Sequence, residues 1–276
     1  MINLIDPVTL TPTDAPAEAP PTAEPTEAAA EPLPAAPQTI MFAAADGQVL
    51  EGTYYPAGRY PAPVVVLMHW APGDASHWAE VAYWLQNRGQ GGTEPSSDPW
   101  RDPSWFPEMP DGASYAVFTF TFRGCGGGNG CQSFDPDGWR QDALAAMRTA
   151  QDLEGVDPGQ AVAIGASIGS DGAADACGDG CLGAMSLSPG SYLGVPFKDA
   201  VAAVDGADPP RPVWCLAAEG DGDSASTCES ASGALYRSII YEGNDHGMML
   251  LRPGTDPNAL ELILEFLAMT LGHVSN

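Results

Sequence analysis

Lysine is all but missing from the chain: Lys198 is the single one among ten basic residues, and 36 acidic residues outweigh them to a formal charge of -26. A field of that sign repels phosphate, so nucleic acid and anionic membrane surfaces are not expected partners. Long apolar runs are missing too. The longest, such as Pro63 to Met68 and Ala161 to Ile164, stop far short of the roughly 20 residues a spanning helix needs, and no membrane span is expected. Histidine is scarce at four residues, which narrows any imidazole chemistry to His69, His77, His246 and His273. What is present suffices for a folded body, since 276 residues with 44% hydrophobic content can bury a large core.

Cysteine is neither absent nor scattered. Cys125 and Cys131, Cys177 and Cys181, and Cys215 and Cys228 form three close pairs, each closing a short loop rich in Gly, Asp or Ser. Local pairing suggests three disulfides and an oxidising compartment, so a secreted or extracytoplasmic location is expected. Six cysteines permit fifteen connectivities, and the local set is preferred for its low closure entropy. A metal site is the competing reading. Zinc sites usually show two-residue spacings and add histidine, and these intervals do neither.

Composition divides the chain. Residues 1–38 carry nine prolines and six acidic residues with no basic one, and cannot bury enough apolar surface to offset their ordering entropy. They read as a disordered stalk, with a catalytic domain over residues 39–276. Met1 leads directly into Ile2, Asn3 and Leu4 with no cationic start, so the expectation is a mature form whose export signal has been removed. The stalk would then tether the body to the cell envelope.

From Gln38 onward, apolar β-branched runs alternate with stretches at helical spacing, which predicts an α/β fold with a mostly parallel central sheet flanked by helices. Thr39 to Ala44 and Val49 to Tyr55 read as an antiparallel hairpin turning at Asp46-Gly47. Buried strands are predicted at Pro63 to His69, Tyr115 to Phe122, Gln160 to Ala166, Gly183 to Leu187, Pro212 to Ala218 and Ser238 to Tyr241. Helices are predicted at His77 to Asn87, Gly138 to Leu153, Ile168 to Ala176 and Pro257 to Leu271. Gly91 to Gly112 reads as a long irregular loop, in which Trp100, Trp105 and Phe106 either rim the site or anchor the loop.

The segment that carries chemistry is Gly165-Ala166-Ser167-Ile168-Gly169, preceded by the apolar run Ala161 to Ile164 and followed by a small-residue helix. Strand, Gly-x-Ser-x-Gly and helix together make a nucleophile elbow, whose sharp turn strains the serine backbone and leaves no room for side chains at the flanking glycines. A serine hydroxyl needs a base, and the base needs an orienting carboxylate. His246, in a turn-rich loop before the last helix, is the base by elimination. Asp221, just past the run Val213 to Ala218, is the acid, with Asp223 its rival on the same loop; Asp245 is expected to face solvent. The backbone N–H of Ile168 is one oxyanion donor, and Trp70, in the loop after the early strand, is the second. His69, Trp70 and Trp78 are expected to line the substrate site.

These residues resemble the α/β-hydrolase superfamily, and the resemblance runs from about Gln38 to Val274. Leu67-Met68-His69-Trp70, Phe122-Arg123-Gly124, Ala218-Glu219-Gly220-Asp221 and Asp245-His246-Gly247 are similar to segments of serine esterases related to dienelactone hydrolases. Trp70 stands where that group usually has glycine, and dienelactone hydrolases proper use cysteine at the position of Ser167. The resemblance implies a carboxylic ester hydrolase acting through an acyl-enzyme on a small or polymeric ester, without metal or organic cofactor, with Arg123 structural. A peptidase or acyltransferase on the same scaffold, or an inactive surface-displayed binding module, are the alternatives.

Overall fold

The computed structural model describes residues 31–92, 98 and 100–272. Most of the stalk reading, and His273, lie outside the described residues. Eight strands form one sheet: β1 Gln38–Ala43, β2 Val49–Tyr55, β3 Ala62–Met68, β4 Ala116–Phe120, β5 Val156–Ala166, β6 Cys181–Leu187, β7 Val213–Ala218 and β8 Tyr236–Tyr241. They lie in the order β1-β2-β4-β3-β5-β6-β7-β8. Of these eight, β2 alone runs against the rest: it pairs antiparallel with β1 on one side and β4 on the other, and every pairing from β4 across to β8 is parallel.

A parallel sheet is covered on both faces, and β3 shows why its sequence is continuously apolar. Val64, Val66 and Met68 point into one core with Ala143 and Ala146 of α2 (Pro136–Gln151) and Ala173 of α3 (Ile168–Asp175). Val65 and Leu67 point into the other, with Val81 and Leu85 of α1 (Ala79–Gln86) and Phe266 of α6 (Ala259–Leu271). Strand alternation therefore splits one run between two layers of helices.

Two helices escape the pattern reading. In α4, Phe197–Asp205, Phe197, Ala200, Val201 and Val204 are buried at helical spacing, but the helix is short. In α5, Ser224–Ser230, only Ser224 and Cys228 are buried and the composition favours caps over helix interiors. The Cys215–Cys228 disulfide staples α5 to β7. Cys125–Cys131 and Cys177–Cys181 are also bonded, so the local pairing holds throughout. Arg123 joins the β1–β2 turn to α2, donating to Asp46 and, through Nη2 at 2.7 Å and Nε at 2.9 Å, to Asp142. The backbone ahead of β1 is held at α1's end, where Arg88 donates to the Leu33 carbonyl at 2.6 Å and Gln86 to that of Ala35 at 2.8 Å.

Candidate active site

The parallel strands β3, β5, β6 and β7 end on one side of the sheet, and the candidate residues sit at or just beyond their carboxyl ends. Ser167 links β5 to α3 with φ 52° and ψ -118°, a conformation an L-residue adopts only under constraint. The constraint is steric. A Cβ on Gly165 would strike the carbonyl of Gly169, and one on Gly169 would strike the carbonyl of Met68. Hydroxyls brace the turn from below: Ser170 Oγ donates to the Ser167 carbonyl at 2.5 Å and Ser186 Oγ to the Ser170 carbonyl at 2.8 Å.

The acid and base loops arrive from the neighbouring strands. Gly220 N donates to the Gly243 carbonyl at 2.7 Å, tying the loop after β7 to the loop after β8. His246 Nδ1 lies 2.6 Å from Asp221 Oδ1, and His246 Nε2 lies 2.9 Å from Ser167 Oγ. A carboxylate only accepts, so Nδ1 carries the proton toward Asp221 and Nε2 is left to accept from the serine hydroxyl. Asp223 is exposed at the start of α5, its carbonyl accepting from Thr227 N, and Asp221 rather than its rival reaches the imidazole. Asp245 does not simply face solvent: it is ion-paired to Arg252.

Ser188 is a participant that sequence reasoning missed. It directly follows β6 with φ 59°, and its buried Oγ accepts from Gly247 N at 2.8 Å, fixing the backbone next to His246. No motif marks it, because the bond spans 59 positions. Asp171, on the first turn of α3, is also buried. Its Oδ2 accepts from Tyr192 N at 2.5 Å while Oδ1 has no hydrogen-bond partner among the described residues, and burial raises its pKa to about 7.

The expected substrate-contacting residues separate. His69 is fully buried, donating from Nδ1 to the Trp70 carbonyl at 2.7 Å and accepting from Phe122 N through Nε2 at 3.0 Å. Burial lowers its pKa to about 4, and both nitrogens are spent on backbone, so it shapes the Trp70 turn and has no face for substrate. Trp78 is 0% exposed and packs in the α1 core, which removes it from the substrate wall. Trp70 does stand at the site: a Cβ on Gly247 would meet Trp70 Cε3 at 3.0 Å and Ser167 Cβ at 3.8 Å. The Cys125–Cys131 loop backs the turn beyond it, Cys131 N donating to the Ala71 carbonyl at 2.7 Å. In the long loop, Trp100 packs edge-on to Trp70 at 5.1 Å and Phe106 against Trp84 at 5.5 Å, which favours anchoring over a free rim.

Cavities of about 470 Å³ by α1 and about 520 Å³ by α4 are not lined by Ser167, Asp221 or His246. Among the described residues, no group of three or more His, Cys, Asp or Glu is arranged to hold a metal ion, and no helix is long and apolar enough to cross a membrane.

No protein-family model matches the sequence, and no curated protein matches it significantly. Solved structures do match. An esterase of Pyrococcus furiosus superposes with a TM-score of 0.58 at 13% identity, over 86% of this chain and 92% of that one. A thermophilic carboxylesterase cloned from a metagenomic library gives 0.55 at 16% identity, over 88% and 92%. The fold is that of the α/β hydrolases. A dienelactone hydrolase-like promiscuous phosphotriesterase from metagenomic libraries also matches, with a TM-score of 0.50 at 14% identity over 76% of this chain and 83% of that one. Within this α/β-hydrolase fold, a strand-to-helix corner and two neighbouring loops bring a hydroxyl, an imidazole and a carboxylate into hydrogen-bond reach.

Proposed function

We propose that the chain is a serine carboxylic ester hydrolase. The observation that carries this reading is the unbroken sequence of contacts from Asp221 through His246 to Ser167, at 2.6 and 2.9 Å, on a strained corner. Ser167 Oγ attacks the ester carbonyl as His246 Nε2 takes its proton, and Asp221 holds the imidazole in the accepting tautomer. The N–H groups of Trp70 and Ile168 receive the negative oxygen. His246 then protonates the departing alcohol, and water attacks the acyl-enzyme by the reverse sequence.

Three disulfides support an extracytoplasmic setting for this chemistry, and secretion with an acidic, proline-rich stalk reaching to the envelope belongs to the same proposal. Hydrolysis of p-nitrophenyl acetate by the wild type, with a fall of about 10⁴-fold or more in Ser167→Ala, is the expected result. Comparable turnover in both proteins would eliminate the serine mechanism. Esters cleaved in preference to peptides would set the enzyme apart from a peptidase, and no turnover by a folded wild type would favour a binding module.

A further inference from the structure

His77 has no place in the chemistry above, yet its imidazole is committed to a specific partner. It lies on a 3-10 turn, Ala75–Trp78, and its Nδ1 is 2.8 Å from the indole Nε1 of Trp70. An indole nitrogen only donates, so His77 Nδ1 is the bare acceptor and the ring proton of the neutral imidazole sits on Nε2. The ring is also stacked on Trp100, with centroids 5.4 Å apart and planes 23° from parallel, while Trp100 meets Trp70 edge-on. Gly73 makes the arrangement possible, because a Cβ there would overlap the His77 ring. Trp70 is thus held at both ends. Its carbonyl accepts from His69 Nδ1 and Gly73 N, and its indole is pinned by His77 with the far ring edge against Gly247 beside Ser167.

We propose that His77 is a positioning residue for substrate selectivity, holding the Trp70 indole as a fixed wall beside Ser167 and so limiting the bulk of the acyl group that fits there. The proposal rests on the ester-hydrolase reading. Without the acceptor at Nδ1 the indole loses its polar anchor and can swing on its two side-chain torsions, opening the wall to larger groups. Substrates that fit clear of the wall should notice little.

The test compares kcat/KM for p-nitrophenyl octanoate and p-nitrophenyl acetate. In His77→Leu the octanoate-to-acetate ratio should rise about tenfold, the scale on which a pocket wall separates ligands differing in apolar bulk, chiefly through KM for the octanoate. His77→Asn places an amide oxygen near the position of Nδ1 and should keep the ratio within about twofold of wild type. Trp70→Phe, which removes the donor and the outer ring, should raise the ratio as His77→Leu does, and covers the case in which His77→Leu does not fold. An unchanged ratio in folded His77→Leu or in Trp70→Phe, or a ratio in His77→Asn matching that of His77→Leu, would overturn the proposal. The Trp70 indole N–H resonance, identified by its loss in Trp70→Phe, reports the bond without turnover: it should shift in His77→Leu and persist in His77→Asn. If the wild type hydrolyses neither ester, the hydrolase reading fails, and the resonance still decides whether His77 holds the indole.

Discussion

The floor beneath Ser167 and the wall beside it are built on opposite plans. The floor is made of the smallest side chains, Gly165, Gly169, Ser170 and Ser186, and its geometry is set by backbones in contact and by serine hydroxyls donating to carbonyls. The wall is made of the largest, Trp70 and Trp100, with His77 between them, and is held by one indole–imidazole bond and by ring contacts. A floor that tolerates no added atom fixes one backbone conformation at the Ser167 hydroxyl. A wall that depends on a few side-chain contacts can change with a single substitution and leave the corner intact. On the proposed reading, chemistry and selectivity come from separate parts, one rigid by exclusion and one rigid by attachment.

That comparison is sharpened first on the floor. Gly165→Ala puts a methyl into the Gly169 carbonyl, where backbone must move. A destabilisation of about 3 kcal/mol is expected, with turnover falling far more than for any wall variant. Denaturant titration and steady-state kinetics on the same sample check it, and an alanine accommodated without loss would show that the floor is not set by exclusion. Next in size is the support behind the base. Ser188→Ala leaves the Gly247 N–H without its acceptor and frees the His246 backbone, so kcat should fall about tenfold with KM little changed, consistent with the ~1–3 kcal/mol cost of an orphaned buried donor. A wild-type kcat in Ser188→Ala would mean that the loop is aligned by other contacts.

The smallest effect concerns pH. Asp171 lies one turn beyond Ser167, and burial raises its carboxyl to about 7, above the roughly 3.9 of an unfolded aspartate. Its proton is therefore bound more tightly by the folded chain. The stability it contributes is fully present below the unfolded pKa and is lost as pH rises through about 7. Asp171→Asn keeps an acceptor for Tyr192 N without the ionisation, so the fall in Tm between about pH 5 and 8 should be shallower in the variant, by a few degrees at the upper end. Parallel Tm curves for the two proteins would refute the assignment.

The floor is legible in the sequence because its cause is local: glycine on either side of serine, after an apolar strand and before a helix, leaves few geometries open. The strands around it are legible from the same kind of pattern, since β3 and β5 to β7 are apolar runs cut by Gly, Pro or Asp, although their order in the sheet is not. Asp221 and His246 were within reach because only four histidines exist and one strand end delivers an acid in the right stretch. The proposed wall is legible only in part: the sequence points to Trp70 at the substrate site, but not to His77 as its anchor. Trp78 and Trp70 are both tryptophans near one strand end, and nothing in their spacing says that the first packs wholly inside while the second meets Gly247. The neighbours of His69 in sequence do not reveal that its second nitrogen is taken, because the amide that occupies it belongs to Phe122, 53 positions away. Ser188 and α5 escaped for related reasons: one acts through a distant amide, and the other is a poor helix former stapled by Cys228.

The most direct test of the account is covalent. A fluorophosphonate needs a serine activated by an adjacent base and a preorganised site for negative oxygen, which is the arrangement claimed for the corner at residue 167. Labelling of the folded wild type followed by peptide mapping should place one equivalent of probe on Ser167, with none in Ser167→Ala and little in His246→Ala. A folded wild type that takes up no probe, or takes it up on a different serine, would contradict the account at its centre.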